Sequence, residues 1–281
     1  MNQPSISPVV KWVGGKRQLL SAILPYVEKQ HIATYIEPFI GGGALLLALL
    51  PEKAIINDYN QELINVYQVI QSDVESLIET LQSHEANHSQ EYFYTLRSWD
   101  REANFQSLSP VARAARFLYL NKTCYNGLFR VNAKGQFNVP FGKYKHPNIV
   151  NAESLRALAK YFQENQVDIY NQDYAAILTK AQRGDFVYLD PPYMPLSVSS
   201  SFTSYTEKGF SYEEQVRLRN ECNKLREKGI SFIESNSDCE AIRELYKDYT
   251  ILTVQASRSI NSQASKRGKI NEVLILSGVE V

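Results

Sequence analysis

Tyr35-Ile-Glu-Pro-Phe-Ile-Gly-Gly-Gly-Ala-Leu-Leu-Leu-Ala-Leu-Leu50 is the stretch on which the fold turns. A short apolar run at 35–39 meets three glycines and then an unbroken Ala/Leu run. That order reads as a strand, a tight loop and a buried helix. Working outward, Ala54-Ile-Ile-Asn-Asp58 is a second strand with a carboxylate at its C-terminal end. From Asn60 to about Gln82, Leu63, Ile64, Tyr67, Ile70, Val74, Leu77 and Leu81 recur at helical spacing, with Asn60 as the cap. Val167-Asp-Ile-Tyr170, ending near Asp173, is a third strand, and Phe186-Val-Tyr-Leu189 a fourth, ending at Asp190-Pro-Pro-Tyr193. Ser211-Tyr-Glu-Glu214 is a capping box opening a helix that stops at Gly229. Ser231-Phe-Ile-Glu234, Thr250-Ile-Leu-Thr-Val254 and Glu272-Val-Leu-Ile-Leu276 complete the strands.

Strands alternating with helices predict an α/β fold: a mostly parallel sheet covered on both faces. The alternation fails over residues 60–159, which read as a mainly helical insert, with Pro110 at the first position of one helix. The expected division is 1–59 with 160–281 as one domain and 60–159 as the other. Two polar stretches, Ser197–Gly209 and Ser257–Lys269, read as loops.

The chain has 281 residues, 30 Lys+Arg against 30 Asp+Glu, and 44% hydrophobic residues, which excludes disordered and fibrous classes. No run of apolar residues is long enough to span a membrane, and MNQPSISPVVKW, residues 1–12, has no charged segment followed by an apolar core, so no signal peptide is expected. Cys124, Cys222 and Cys239 are odd in number and widely spaced, as expected of reduced thiols in a cytoplasmic protein. These cysteines and the four histidines show no metal-ligand spacing, so no metal is expected.

Charge is unevenly placed. Between Arg101 and Pro147 eight basic residues (Arg101, Arg113, Arg116, Lys122, Arg130, Lys134, Lys143 and Lys145) face one acid, Glu102. Tyr125, Asn126, Phe129, Asn132, Phe137, Asn138, Phe141 and Tyr144 are interleaved with them. Charge alone fits a solvated face, whereas this mixture suits phosphate neutralisation with base stacking. A second basic cluster is Arg258, Lys266, Arg267 and Lys269.

Ligands of open α/β sheets bind at the carboxyl ends of the strands, where the candidates gather. The glycines of Glu37-Pro-Phe-Ile-Gly-Gly-Gly43 allow close backbone approach, and Asp58 can hold the hydroxyls of a ribose. Together they suggest a nucleoside cofactor, or else a glycine-rich helix entry with a capping aspartate. In Asp190-Pro-Pro-Tyr193 a carboxylate and the carbonyl of Pro191 can each accept one hydrogen of a base's exocyclic amine. That pair would return electron density to a nitrogen otherwise conjugated with its ring. Pro191 and Pro192 stiffen the turn, and Tyr193 offers a face for stacking. Within Lys11-Trp-Val-Gly-Gly-Lys16, Trp12 can stack on a nucleoside and Lys16 can pair with a carboxylate.

KWVGGK, EPFIGGG, IINDYN and FVYLDPPY, in that order, resemble the DNA adenine methylase family of N6-adenine methyltransferases. The segment CYNGLFRVNAKGQFNVPFGKY is similar to that family's target-recognition region, and the likeness leans toward the Dpn-type methylases of restriction systems. The resemblance implies a Rossmann-like S-adenosylmethionine-dependent fold with a seven-stranded sheet and a helical target-recognition insert. It implies S-adenosylmethionine as methyl donor, held by Trp12, Lys16, Glu37, Phe39, Gly41, Asp58, Asp173, Tyr174 and Asp190. Asp190, Pro191, Pro192 and Tyr193 would act on an adenine flipped out of duplex DNA, since the target amine is inaccessible within the stack. Lys11, Tyr125, Asn126, Leu128, Arg130, Pro140 and Tyr144 would contact DNA, with Tyr125 as a wedge and Arg130 reading a guanine of GATC.

A monomer is expected, because one chain already carries cofactor, catalytic and recognition elements, and a cognate restriction endonuclease that shared the site would not be a physical partner. Two other readings use the same motifs: an RNA adenine methyltransferase, and a catalytically inactive DNA-binding protein of this fold. Cytosine C5 methylation needs a cysteine nucleophile, usually after proline, and the chain has no Pro-Cys pair.

Overall fold

A computed structural model describes residues 6–12, 14, 16–194, 210–257 and 269–280. The two polar stretches read as loops lie outside these residues, apart from the strand-end positions Ser257 and Lys269. The seven strands are β1 Tyr35–Glu37, β2 Lys53–Asn57, β3 Gln166–Tyr170, β4 Phe186–Leu189, β5 Ser231–Ser237, β6 Thr250–Ser257 and β7 Lys269–Ser277. They form one sheet in the order β3-β2-β1-β4-β5-β7-β6. β1 is parallel to β2 and β4, and β4 to β5, whereas β7 runs antiparallel to both β5 and β6. The mostly parallel α/β architecture expected from the alternation is thus present.

The helices that matter below are α1 Leu20–Val27, α2 Ala44–Leu49, α3 Gln61–Ser72, α4 Val74–Ala86, α5 Gln90–Ser98, α6 Pro110–Thr123, α7 Ala152–Glu164, α8 Tyr174–Leu178 and α9 Tyr212–Glu227. None in the described residues is long and apolar enough to cross a membrane. The single helix expected from Asn60 to Gln82 is two. Asp73 ends α3 with an extended φ of −153°, and its side chain then accepts from Ser76 N at 3.4 Å to start α4. Asn60 caps α3 through Leu63 N at 3.1 Å, a contact that contributes about 1 kcal/mol.

The chain divides into two compact units, Met1–Gly15 with Gly41–Leu50 and Asn60–Asn171, and Lys16–Ile40 with Pro51–Tyr59 and Gln172–Val281. In the second, Ile36, Ile56, Val187, Leu189, Phe232, Ile233 and Leu274 are buried on the sheet. Each such side chain contributes roughly 1.5–3 kcal/mol. Register sets up the chemistry. β4 and β5 pair Leu189 with Glu234, so the next residues, Asp190 and Ser235, emerge side by side. β5 and β7 pair Ser237 with Glu272 at the same end.

In the first unit, α3 presents Leu63, Ile64, Val66, Tyr67 and Ile70 to its core, with Tyr67 against Phe162 of α7. α6 starts at Pro110 behind Ser109, whose side chain accepts from Ala112 N at 3.1 Å. It is buried nearly all round, so Arg113 and Arg116 point inward. Arg113 pairs with Glu62, and Arg116 with Asp100 at 2.9 Å. Two of the eight cations read as one basic segment therefore serve the interior.

Candidate active site and recognition surface

At the carboxyl end of β4, Lys16 Nζ lies 2.7 Å from Asp190 Oδ1, with the two side chains 7% and 19% exposed. Ser235 Oγ donates to the same oxygen at 3.1 Å, and its own hydroxyl lies 3.0 Å from the Tyr188 hydroxyl. Burial pushes the Asp190 carboxyl above the ordinary aspartate range, while the Lys16 ammonium and the Ser235 bond oppose that rise. Tyr193 follows the two prolines. Its hydroxyl donates to Glu272 Oε2 at 2.7 Å, and Lys16 Nζ stands 4.5 Å from its ring centroid. Burial holds Tyr193 far above the usual phenol range, so it stays a neutral donor. Lys16, far from Asp190 and Tyr193 in sequence, thus lies beside both.

Nearby residues of the same unit frame a second region. Phe39, Tyr174 and Phe210 form an aromatic triangle with centroids 5.2, 5.9 and 5.9 Å apart. Tyr174 hydroxyl donates to Glu214 at 3.2 Å. Asp173 caps α8 through Ala175 N at 2.9 Å and takes both arms of Arg217, at 2.7 and 3.0 Å, which holds its carboxyl below the usual range. Glu37 is buried and accepts from Tyr35 hydroxyl at 2.7 Å. Asp58 follows β2, beside Tyr59, which is 85% exposed.

Asn57 is the staple beneath these loops. Its Nδ2 donates to Pro38 O at 2.9 Å and Gln172 O at 3.1 Å, and its Oδ1 accepts from Gln172 N at 2.8 Å. The loop after β1 and the entry to α8 are thereby fixed to the end of β2.

In the first unit, the Trp12 indole lies on Gly41, where a Cβ would stand 2.6 Å from Trp12 Cδ1 and φ is +46°. Only glycine suits that position. Trp12 also stacks on Phe129, with centroids 5.4 Å apart, so the Lys-Trp motif packs against the recognition segment. Lys11 is tied to Asn121 through both backbone groups at 2.8 Å, and its Nζ stands 4.8 Å from the Tyr144 ring centroid. Its side chain crosses Gly127, which has φ +63°.

Tyr125, Asn126, Arg130 and Pro140 are exposed, and Leu128 is half-buried. Tyr125 N donates to Pro140 O at 2.8 Å, which joins two of these positions. Val131 and Phe137 bridge a small hairpin in which Arg130 Nε donates to Asn138 Oδ1 at 2.7 Å. The returning strand of that hairpin is braced from behind. Phe137 N donates to Asp100 at 2.7 Å, Arg101 donates to Phe137 O at 2.9 Å, and Arg97 to Val139 O at 3.3 Å. Arg101, like Arg113 and Arg116, is thus engaged within the protein. Arg130, Lys134, Lys143 and Lys145 are the exposed remainder, with Lys122 largely buried beside Lys11.

Sequence reasoning missed the roles of Ser235, Glu272, Asn57 and Gln215. A signal was present for the first: Glu234, Ser235, Asn236 and Ser237 are four consecutive buried polar residues at a strand end.

The profile of the D12 class of N6 adenine-specific DNA methyltransferases matches residues 12–260. The chain is 47% identical to the type II methyltransferase M1.LlaDCHI of Lactococcus lactis subsp. cremoris, over 98% of this chain and 96% of that one. It is 40% identical to the type II methyltransferase M.MjaIII of Methanocaldococcus jannaschii, over 97% and 99%. With a DNA adenine methylase of Escherichia coli K12 it shares 34% identity over 95% and 94%. A sheet that sets an Asp-Pro-Pro-Tyr turn beside a buried lysine, and likeness over nearly the full length of these enzymes, lead to one conclusion: the chain belongs to the D12 class of N6 adenine-specific DNA methyltransferases.

Proposed function

We propose that the chain methylates N6 of the adenine in duplex GATC, with S-adenosylmethionine as donor and the target nucleotide flipped out of the helix. The observation that carries the reading is the arrangement at Asp190. Lys16 and Ser235 both engage Oδ1, which leaves Oδ2 to accept a hydrogen from an amine. The neighbouring cation opposes the upward push of burial and so favours the ionised, accepting form of the carboxyl.

The roles then follow from chemistry. Asp190 Oδ2 and the Pro191 carbonyl each take one amine hydrogen, which directs the nitrogen lone pair outward. Pro191 and Pro192 fix the turn, and Tyr193, held by Glu272, gives the adenine a flat surface. The donor fits the second region: an aromatic triangle at Phe39, Tyr174 and Phe210 suits an adenine, and Asp58 at the end of β2 suits a ribose. When bound it supplies an electrophilic methyl group. Trp12, Lys16, Glu37, Gly41, Asp173 and Asp190 complete its set of holding residues.

Residues 60–159 form the target-recognition domain in this reading. Arg130 presents its outer N–H groups to guanine O6 and N7, Tyr125 fills the gap left by the extruded base, and Asn126 attends the flipped site. Lys11, Leu128, Pro140 and Tyr144 contact bases or backbone nearby. The enzyme acts as a cytoplasmic monomer, and an endonuclease that shared its site would need no contact with it. Asp190→Ala tests the reading: turnover is lost while S-adenosylmethionine still binds in equilibrium dialysis. Methyl transfer by that variant at the wild-type rate would refute the mechanism.

A further inference from the structure

We propose that Gln215 is a positioning residue of the Asp-Pro-Pro-Tyr turn and sets the pose of the Tyr193 ring. The inference rests on the reading of that turn given above. Neither proline of the turn has an N–H, so its backbone offers only acceptors at these two positions. Gln215, fully buried in the first turn of α9, donates from Nε2 to Pro192 O at 3.0 Å. The carbonyl of Pro192 belongs to the same planar unit as the N–H of Tyr193. Anchoring that oxygen therefore fixes the direction in which Tyr193 leaves the turn. At the far end of the same side chain the hydroxyl is held by Glu272 at 2.7 Å. The ring is thus suspended between two hydrogen bonds, one on its backbone and one on its tip.

The orientation of the Gln215 amide is itself determined. Its Oε1 accepts from Asn236 Nδ2 at 3.0 Å, and the second hydrogen of that nitrogen goes to Glu234 Oε1 at 3.0 Å. Asn236 Oδ1 is taken by Ser237 N at 2.9 Å. A flipped Gln215 would set N–H against N–H and carbonyl against carbonyl. The buried row Glu234, Asn236, Gln215 therefore points a single donor at the turn. A glutamine with no exposed surface is a costly choice unless both its ends are used, and here both are.

Gln215→Met and Gln215→Glu test the proposal, with single-turnover methyl transfer measured alongside dissociation constants for S-adenosylmethionine and a GATC duplex. Methionine keeps the volume and removes the donor. The transfer rate should fall roughly tenfold or more, while both dissociation constants stay within about twofold of wild type. Glutamate keeps the acceptor for Asn236 but donates to Pro192 O only when protonated. Its rate relative to wild type should rise as pH is lowered from 8 toward 6, a response that loosened packing would not give. If Gln215→Met does not fold, the pH response of the isosteric variant decides alone. A wild-type rate in Gln215→Met, or a flat relative pH response in Gln215→Glu, would overturn the role of Gln215. Absence of methyl transfer by the wild-type chain would instead overturn the reading of the turn, and this inference with it.

Discussion

Glu234→Gln should stabilise the protein above neutral pH and leave its stability unchanged in acid. Glu234 has no exposed surface, and burial raises its carboxyl from an ordinary 4.5 to about 7, against the bond from Asn236. That displacement corresponds to roughly 3 kcal/mol, at ~1.4 kcal/mol per tenfold change in protonation. Below pH 4.5 the folded and unfolded chains both carry the proton, and the group adds no pH-dependent term. Between 4.5 and about 7 the folded protein retains a proton that the unfolded chain releases, so stability falls as pH rises. Above about 7 the folded state bears the full cost of a buried charge. Glutamine keeps the oxygen that accepts from Asn236 and removes this titration. Urea unfolding of both proteins from pH 5 to 8.5 measures the difference directly. It should grow with pH, levelling near 3 kcal/mol in favour of the variant. A difference that did not vary with pH would refute the assignment of the buried proton to Glu234.

Lys16→Met removes the cation beside a buried carboxylate, so the acid limb of the pH–rate profile should move to higher pH as Asp190 takes up a proton more readily; an unmoved limb would count against the pairing. Arg130→Ala should cost about 1–3 kcal/mol of discrimination at one guanine, read from methylation of a library of sites, with other positions unaffected. Lys145→Ala should lower the slope of log affinity against log salt by about 0.9, since that side chain is exposed. Arg113→Ala should leave the slope alone and destabilise the protein by about 3–5 kcal/mol, as it strands Glu62 within the first unit.

Most of the sheet was legible because its strands are short apolar runs that end in polar or acidic residues at one edge. Asp190 and Asp58 could be placed at carboxyl ends on that pattern alone. The break at Asp73 was not legible, because a residue that ends one helix and caps the next leaves the apolar periodicity almost intact. Basic composition misled for a physical reason. Charge counts do not show whether a side chain meets solvent or an acid, and Arg101, Arg113 and Arg116 meet Asp100 and Glu62. Trp12 was expected to lie against a nucleoside; its contacts with Phe129 and Gly41 needed the tertiary structure. Ser235, Glu272 and Gln215 were unseen because each serves a turn contributed by another element. Ser235 and Glu272 meet Asp190 and Tyr193 through the register of β4, β5 and β7, and Gln215 meets the turn from α9.

Adenine methylation at GATC is decided by transfer of labelled methyl from S-adenosylmethionine to two duplexes that differ only in GATC against GTAC. Label is expected on N6 of adenine in the GATC duplex alone. Equal label on both would contradict the recognition assigned to Arg130 and its neighbours, and no label on either would contradict the chemistry assigned to Asp190.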